Sequence, residues 1–559
     1  MTGRRDYDYI IVGAGSAGCV LANRLSAEAG VSVLLLEAGP RDRGWKIHMP
    51  AALTYNLCDD AYNWAYETEP QPHMDGRRMY WPRGRVLGGS SSLNAMVYVR
   101  GHALDYERWA GNGLPGWSYA HVLPYFKRAE SYERGGDAYR GSGGPLHVSR
   151  GRMRNPLFAA FLAAGGQAGY PPTADMNGFQ QEGFGAMDMT IHRGRRWSAA
   201  RAYLRPALKR PNLDVVVEAL ATRVVVEKGR VRSVEYRQRG QRQRVTARRE
   251  VILSGGAINS PQLLLLSGIG PADEIRRHGI EAVHELPGVG RNLQDHLELY
   301  VQYACTQPIT LYLTEQWPQR IRIGLEWFLF RSGLGASAHL EAGAFIRRNA
   351  EVAHPDLQYH FLPSLVNDHG RKPIGRHGFQ AHVGPMRATS RGTLRLRSAD
   401  PARHPEIQPR YLATEQDRRE MRDAVKLTRE IFAQPAFDPY RGEEIQPGPA
   451  VRSDAEIDAF VRAKSESAYH PCGTCRMGLD EMAVVDGELR VRGLEGLRVV
   501  DASIMPTVVS GNLNAPTIMI AEKAADMILG RPALDPLPVP VSVPAGEPRR
   551  APQRPLAAE

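Results

Sequence analysis

The chain has 559 residues, 43% hydrophobic and 23% charged, with 56 Gly, 40 Pro and a formal net charge of +11; this is a globular α/β composition, long enough for about three to four domain-sized units. No run approaches the roughly 18 apolar residues of a membrane-spanning helix, and five cysteines in so long a chain give no disulfide framework, which points to a reducing, cytoplasmic setting. Arg4-Arg5 before the apolar run Tyr9 to Leu21 could pass for a twin-arginine export signal, but that run contains a nucleotide-binding turn that cleavage would remove.

From Tyr7 to Gly39 the chain reads as strand (Tyr9 to Val12), glycine turn (Gly13 to Gly18), helix (Cys19 to Glu28) and strand (Val31 to Leu36). This is one βαβ unit, with the first strand buried at the centre of a parallel sheet. Gly13-Ala-Gly15-Ser-Ala-Gly18 opens the helix, where backbone amides can receive a pyrophosphate. Glu37 ends the second strand, placed to accept hydrogen bonds from a ribose diol and disfavouring a 2′-phosphate. The turn alone leaves FAD and NAD open.

Further along, Leu213 to Val217, Arg223 to Glu227, Arg232 to Tyr236 and Arg249 to Ser254 read as a β-meander returning to the sheet. The basic stretch Arg237 to Arg249 has only Tyr236 beside it, too little stacking surface for a nucleic-acid site, so no nucleic-acid partner is expected. It reads as a solvated hairpin, with peripheral association to the cytoplasmic face of a membrane as the other reading of the positive charge. Between about 301 and 460 aromatics interleave with apolar residues and Thr393 to Arg397 alternates, the pattern of a second domain laid over the first. Leu497 to Asp501 is a strand and Pro516 to Leu529 a helix; the tail from Pro532 holds eight prolines and reads as disordered.

Two long motifs decide the cofactor: Gly84-Arg-Val-Leu-Gly-Gly-Ser-Ser-Ser-Leu-Asn94, and the segment Gly255 to Gly270 with its Asn-Ser-Pro core. Both resemble the signature patterns of the glucose/methanol/choline (GMC) oxidoreductases, a likeness that runs from about 7 to 530. Tyr62 to Pro70, Gly333 to Ser337, Gln358 to Pro363 and His470-Pro-Cys-Gly-Thr-Cys-Arg-Met-Gly478 resemble the family's bacterial choline dehydrogenases.

The resemblance implies an FAD-binding Rossmann-like domain built from 7–155, 211–300 and 465–530, and an α+β substrate domain with an antiparallel sheet from 156–210 and 301–464, leaving 531–559 as the tail. It implies that Gly13, Gly15, Gly18 and Glu37 hold the ADP half and that Val224 meets the adenine. Gly89, Asn94, Asp501, Asn512 and Thr517 would lie along the rest of the cofactor. Some relatives carry a histidine that bonds the flavin where this chain has Leu93, so the FAD is expected to be non-covalent.

Alcohol oxidation needs a base for the hydroxyl proton and an acceptor for hydride. The resemblance assigns the base to His470 and its polar partner to Asn514, with His360 orienting the substrate. A quaternary ammonium cannot donate hydrogen bonds, so Trp64 and Tyr469 are candidate aromatic walls and Glu341 a candidate carboxylate. Cys472 and Cys475 lack a second ligand pair, so no metal is expected and they read as packing. The implied reaction is oxidation of choline to betaine aldehyde, with onward oxidation to glycine betaine left open and electrons passing to a quinone or similar carrier. The rivals are a GMC dehydrogenase of aliphatic or polyethylene-glycol-like alcohols, a lyase keeping FAD as scaffold, and a basic nucleic-acid or membrane-binding module without catalysis.

Overall fold

The computed structural model of the chain describes residues 5–368 and 372–543. The strand Asp6–Val12 is buried from Tyr7 onward and pairs in parallel with Val33–Leu36 on one side and with the long strand Gln241–Leu253 on the other. Leu213–Val216 and Leu497–Val499 extend the parallel part, while Ala219–Glu227 and Arg230–Gln238 add an antiparallel meander. Continuous Val, Ile and Leu runs are what a strand covered on both faces requires. The helix Ser16–Leu25 and the C-terminal helix Asn514–Leu529 pack together against this sheet.

The basic hairpin is not a short loop. Gln241–Leu253 is a 13-residue strand whose arginines reach carboxylates: Arg244 to Glu227 at 2.7 Å, and Arg248 to Asp8 at 2.9 Å. Asp8 is held near pKa 2, with Arg248 and Ser32 outweighing the opposing cost of burial.

The second sheet is antiparallel throughout, in the order Arg441–Gln446, Leu297–Cys305, Gly378–Pro385, Leu357–Leu362, Ala342–Ile346 and Gly183–Ala186. Phe158, Phe161, Phe361, Phe379, Phe432 and Phe437 meet ring to ring beneath it. Leu297–Cys305 lies wholly in this sheet, so the domain boundary expected at 300 falls inside a strand. The helical turns Ala200–Leu204 and Arg205–Ala207 pack on the first helix instead of the second sheet.

The tail differs from expectation up to Val543. Leu534, Leu537, Val539 and Val541 pack on the core, the Leu537 N–H donates to the Ala120 carbonyl at 2.9 Å and the Tyr139 hydroxyl donates to the Pro540 carbonyl at 2.7 Å. Proline favours extended backbone, and alternate apolar residues let an extended strap bury one edge. The rest of the tail lies outside the described residues.

Candidate active site

A cavity of about 1290 Å³ runs from the first glycine turn to the second sheet. That exceeds the roughly 300–1,000 Å³ of a single small-ligand site and leaves room for a dinucleotide and a second molecule. Gly13, Gly15, Glu37, Gly89, Asn94, Asp501, Asn512 and Thr517 line it, as do His360, Tyr469, His470, Asn514 and Trp64.

The dinucleotide end is built from backbone proximity. A Cβ on Gly18 would stand 1.9 Å from the Gly13 carbonyl oxygen, so glycine there lets helix and strand touch. Gly89 has φ +51°, and a Cβ on it would meet Gly15 Cα at 2.7 Å, which brings the glycine-serine segment directly over the first turn. Among the described residues no side chain caps the helix Ser16–Leu25, leaving its first-turn amides to an anionic group. Glu37 accepts from the Ala14 N–H at 2.9 Å and the Gly39 N–H at 2.8 Å, and burial raises its pKa to about 7. The buried Ser254 hydroxyl faces the same cavity with no hydrogen-bond partner among the described residues. These groups fit a dinucleotide with a free ribose diol.

Asp501 spends its oxygens on the chain itself, accepting from Gly256 N–H, Ser260 Oγ and Ser503 N–H. Asn94 is fixed by Arg196, which is fully buried with no acid paired to it among the described residues, donates to Asn94 Oδ1 at 2.8 Å and to the Ile47 carbonyl at 2.8 Å, and has its pKa brought down to about 9 by burial. Val224 does not reach the cavity: it is fully buried and its N–H donates to Ser267 Oγ at 2.9 Å. Ala219, Leu220 and Ala221 line the cavity in its place, just before a bulge in the strand.

At the other end a chain of hydrogen bonds fixes one tautomer of His470. His296 Nε2 lies 3.0 Å from the Met386 carbonyl, which can only accept, so that nitrogen carries the proton. His296 Nδ1 is therefore an acceptor, and His470 Nδ1, 2.9 Å away, donates to it. His470 Nε2 is left unprotonated, accepting from Asn512 Nδ2 at 3.1 Å. The amide of Asn512 is held that way round because its Oδ1 accepts from Gln358 Nε2 at 3.0 Å. Gln358 Nε2 also lies 3.1 Å from His360 Nε2, fixing that imidazole too. Burial, then the neighbouring His296 and His360, hold the His470 pKa well below its ordinary 6.5, and burial brings His296 and His360 to about 4. All three rings are neutral, as the network requires.

The main chain at His470 is clamped by Asp295, whose Oδ1 accepts the His470 N–H at 2.7 Å while Oδ2 accepts from Ser467 at 2.5 Å and from Tyr411. Burial raises this carboxyl to about 6 against those bonds. Tyr469, just before the histidine, has φ +65°, a left-handed conformation that a bulky side chain adopts only under constraint.

The residue hydrogen-bonded to His470 Nε2 is Asn512, while Asn514, the first residue of the C-terminal helix, lines the same cavity and accepts from Ser16 Oγ at 2.7 Å. Glu341 does not line the cavity: it accepts from Ser337 Oγ and the Met153 N–H at 2.5 Å each. Carboxylates that do line it include Glu298, on the strand Leu297–Cys305 and two residues past His296, which lies just before that strand. His382 Nε2 is 2.6 Å from Gln380 Nε2 and must accept from it, so His382 Nδ1 donates to Glu298 Oε1 at 3.1 Å. Trp64 does line the cavity, yet Tyr66 stacks on it at 5.8 Å and the Arg85 guanidinium lies over its ring at 5.6 Å, so it already faces a cation of the chain. Tyr300 and Tyr469 are the cavity aromatics that accompany Glu298. Cys472 and Cys475 are buried free thiols.

His296 and Glu298 were missed in the sequence because neither stands in a recognised motif. A histidine and a carboxylate two apart at the mouth of an alternating strand was the available signal.

Residues 7–298 and 388–521 match family models described as GMC oxidoreductase. Choline dehydrogenase, mitochondrial, of Homo sapiens is 63% identical over 550 residues, covering 97% of this chain and 93% of the relative. An oxygen-dependent choline dehydrogenase of Brucella ovis is 55% identical over 529 residues, covering 94% and 96%. Among solved structures, pyridoxine 4-oxidase from Mesorbium loti superposes with a TM-score of 0.86 at 34% identity, covering 94% of this chain and 99% of that one. Formate oxidase of Aspergillus oryzae RIB40 gives 0.89 at 28% identity, covering 95% and 99%. The chain belongs to the GMC oxidoreductase family.

Proposed function

We propose that this protein oxidises choline to betaine aldehyde with non-covalently bound FAD. The observation that carries the reading is one cavity lined both by His470, whose Nε2 is unprotonated, and by the carboxylate of Glu298. FAD, when bound, supplies the two-electron acceptor for the carbinol hydride. Gly13, Gly15, Gly89 and Glu37 would hold its ADP half, and Leu93, apolar and buried at the cavity wall, offers no atom for a covalent link.

A substrate hydroxyl that replaces the 3.1 Å hydrogen bond between Asn512 Nδ2 and His470 Nε2 accepts from Asn512 and gives its proton to His470. Asn512 then stabilises the alkoxide, whose carbon gives up the hydride, leaving an aldehyde. His296 keeps the acceptor lone pair on His470 Nε2, and His360 walls the opposite side. Glu298 faces the trimethylammonium group, with the faces of Tyr300 and Tyr469 nearby. A hydrated betaine aldehyde presents the same hydroxyl to the same pair, so a second oxidation to glycine betaine belongs to this reading. Electrons leave to a quinone or a comparable carrier, and the protein works in the cytoplasm or at a membrane surface. No helix among the described residues is long and apolar enough to cross a membrane.

Choline and its uncharged isostere 3,3-dimethylbutan-1-ol test the reading against a general alcohol dehydrogenase. Choline turns over with kcat/KM at least about a hundredfold higher; equal values would transfer the proposal to neutral alcohols.

A further inference from the structure

Asn512 stands in a stretch, Val508 to Leu513, that belongs to neither helix nor strand. Buried backbone amides there have no ladder to join and must find side-chain partners. The Val508 N–H donates to Gln294 Oε1 at 3.2 Å, and the Ser510 N–H donates to Asp105 Oδ2 at 2.6 Å. Ser510 Oγ donates to the other oxygen of that carboxylate at 2.9 Å and accepts from Arg387 Nη1 at 3.1 Å. Gln181 Nε2 donates to the Ser510 carbonyl at 3.1 Å. Every polar group of Ser510, two residues before Asn512, is thus held.

Asp105 is the third residue of the helix Ala103–Gly111, where it accepts the His102 N–H at 2.9 Å as a helix-capping acid does. That duty accounts for one bond. The two bonds to Ser510 cross 405 positions of sequence and do nothing for the helix. The carboxyl is fully buried; burial alone would raise its pKa, but His354, Arg108 and Arg387 outweigh it and hold the pKa below the ordinary value. An ionised acceptor makes its hydrogen bonds roughly twice as strong as neutral ones. Asp295 stands in the same relation to His470, giving one oxygen to a main-chain N–H and the other to a serine hydroxyl. A buried acid therefore grips the chain at each member of the His470 and Asn512 pair.

We propose that Asp105 is a positioning residue for the alcohol oxidation, acting through Ser510 to hold the Asn512 amide at the reacting hydroxyl. Gln358 aims the Asn512 side chain, and Asp105 fixes the backbone from which that side chain projects. Asp105 does not itself line the cavity, so its effect on the reaction is indirect. Misplacement of a catalytic group by about 1 Å can cost on the order of a hundredfold in rate. Glu298 sits on a separate strand, so binding of the substrate cation does not depend on this clamp. The inference rests on the reading of His470 and Asn512 as the pair at the hydroxyl.

Steady-state kinetics of Asp105→Ala, Asn512→Ala and the double variant with choline, with FAD content measured on each sample, test it. Asp105→Ala alone should lower kcat about tenfold, keep its FAD and leave KM for choline within about threefold. Beside Asn512→Ala it should cost less than about a further twofold, because the amide it positions is gone. Asp105→Asn, whose amide oxygen can still take the Ser510 and His102 N–H groups, should bring kcat back to within about threefold of the unmodified protein. Should Asp105→Ala fail to fold, Ser510→Ala, which removes only the hydroxyl bonds, enters the same cycle with kcat about threefold lower alone and unchanged beside Asn512→Ala. Equal factors with and without Asn512, loss of FAD, or a raised KM at constant kcat would make Asp105 a structural residue and overturn the proposal. So would an unchanged kcat in whichever variant folds. An Asn512→Ala protein with unimpaired kcat refutes the reading of the site on which the inference rests, and the inference with it.

Discussion

Replacing Glu298 by glutamine removes one charge from the cavity and little else. The amide oxygen can still accept from His382 Nδ1, now 3.1 Å from Glu298 Oε1, so the strand and its neighbours keep their positions. A quaternary ammonium about 5 Å from the carboxylate, at an effective dielectric constant of about 20, is held by about 3 kcal/mol. Loss of that attraction lowers kcat/KM for choline by about two powers of ten. It leaves 3,3-dimethylbutan-1-ol, which has the same shape and no charge, unchanged within a fewfold. Steady-state assays of both alcohols on both proteins form a complete cycle, and the coupling between charge on the substrate and charge at position 298 is the quantity of interest. An equal fall for both substrates would make Glu298 a packing residue, and no fall for choline would remove it from the site.

His470→Ala keeps its FAD, because no dinucleotide-end contact involves the imidazole, and loses turnover by on the order of a hundredfold or more; absorbance and turnover of the same sample check both halves. Asn512→Ala loses about tenfold to a hundredfold in kcat with FAD retained, whereas Asn514→Ala, which breaks the bond to Ser16 Oγ, lowers FAD retention more than the rate of the loaded enzyme. Dialysis followed by rate measurement separates the two asparagines. Gly18→Ala drives a methyl against the Gly13 carbonyl and yields a poorly folded or colourless protein, read from flavin content and melting temperature.

The nucleotide end was legible because its signal is local. A buried parallel strand is uniformly apolar, its glycine turn follows at once, and Glu37 lies one strand away, so neighbours in sequence are neighbours in space. The strand Gln241–Leu253 was hidden because its edge half is partly exposed and rich in arginine, which dilutes the alternation that marks a strand. At the catalytic end the decisive contacts span 174 positions between His296 and His470, which no periodicity records. The choice between Asn512 and Asn514 depended on where the last helix begins: Asn514 is its first residue and turns toward Ser16, while Asn512 stays in the loop facing His470. Glu341 and Glu298 differ only in which face of the second sheet's surroundings they meet, a matter of tertiary placement. The tail was misread up to Val543 because composition alone cannot tell a free proline-rich segment from one strapped to a surface.

The most direct measurement is anaerobic addition of choline to the purified yellow protein, following the flavin absorbance. The account predicts loss of the oxidised-flavin spectrum with one equivalent of aldehyde formed per flavin, and no such change in His470→Ala on the same timescale. A protein that carries FAD and keeps its oxidised spectrum under excess choline would contradict it.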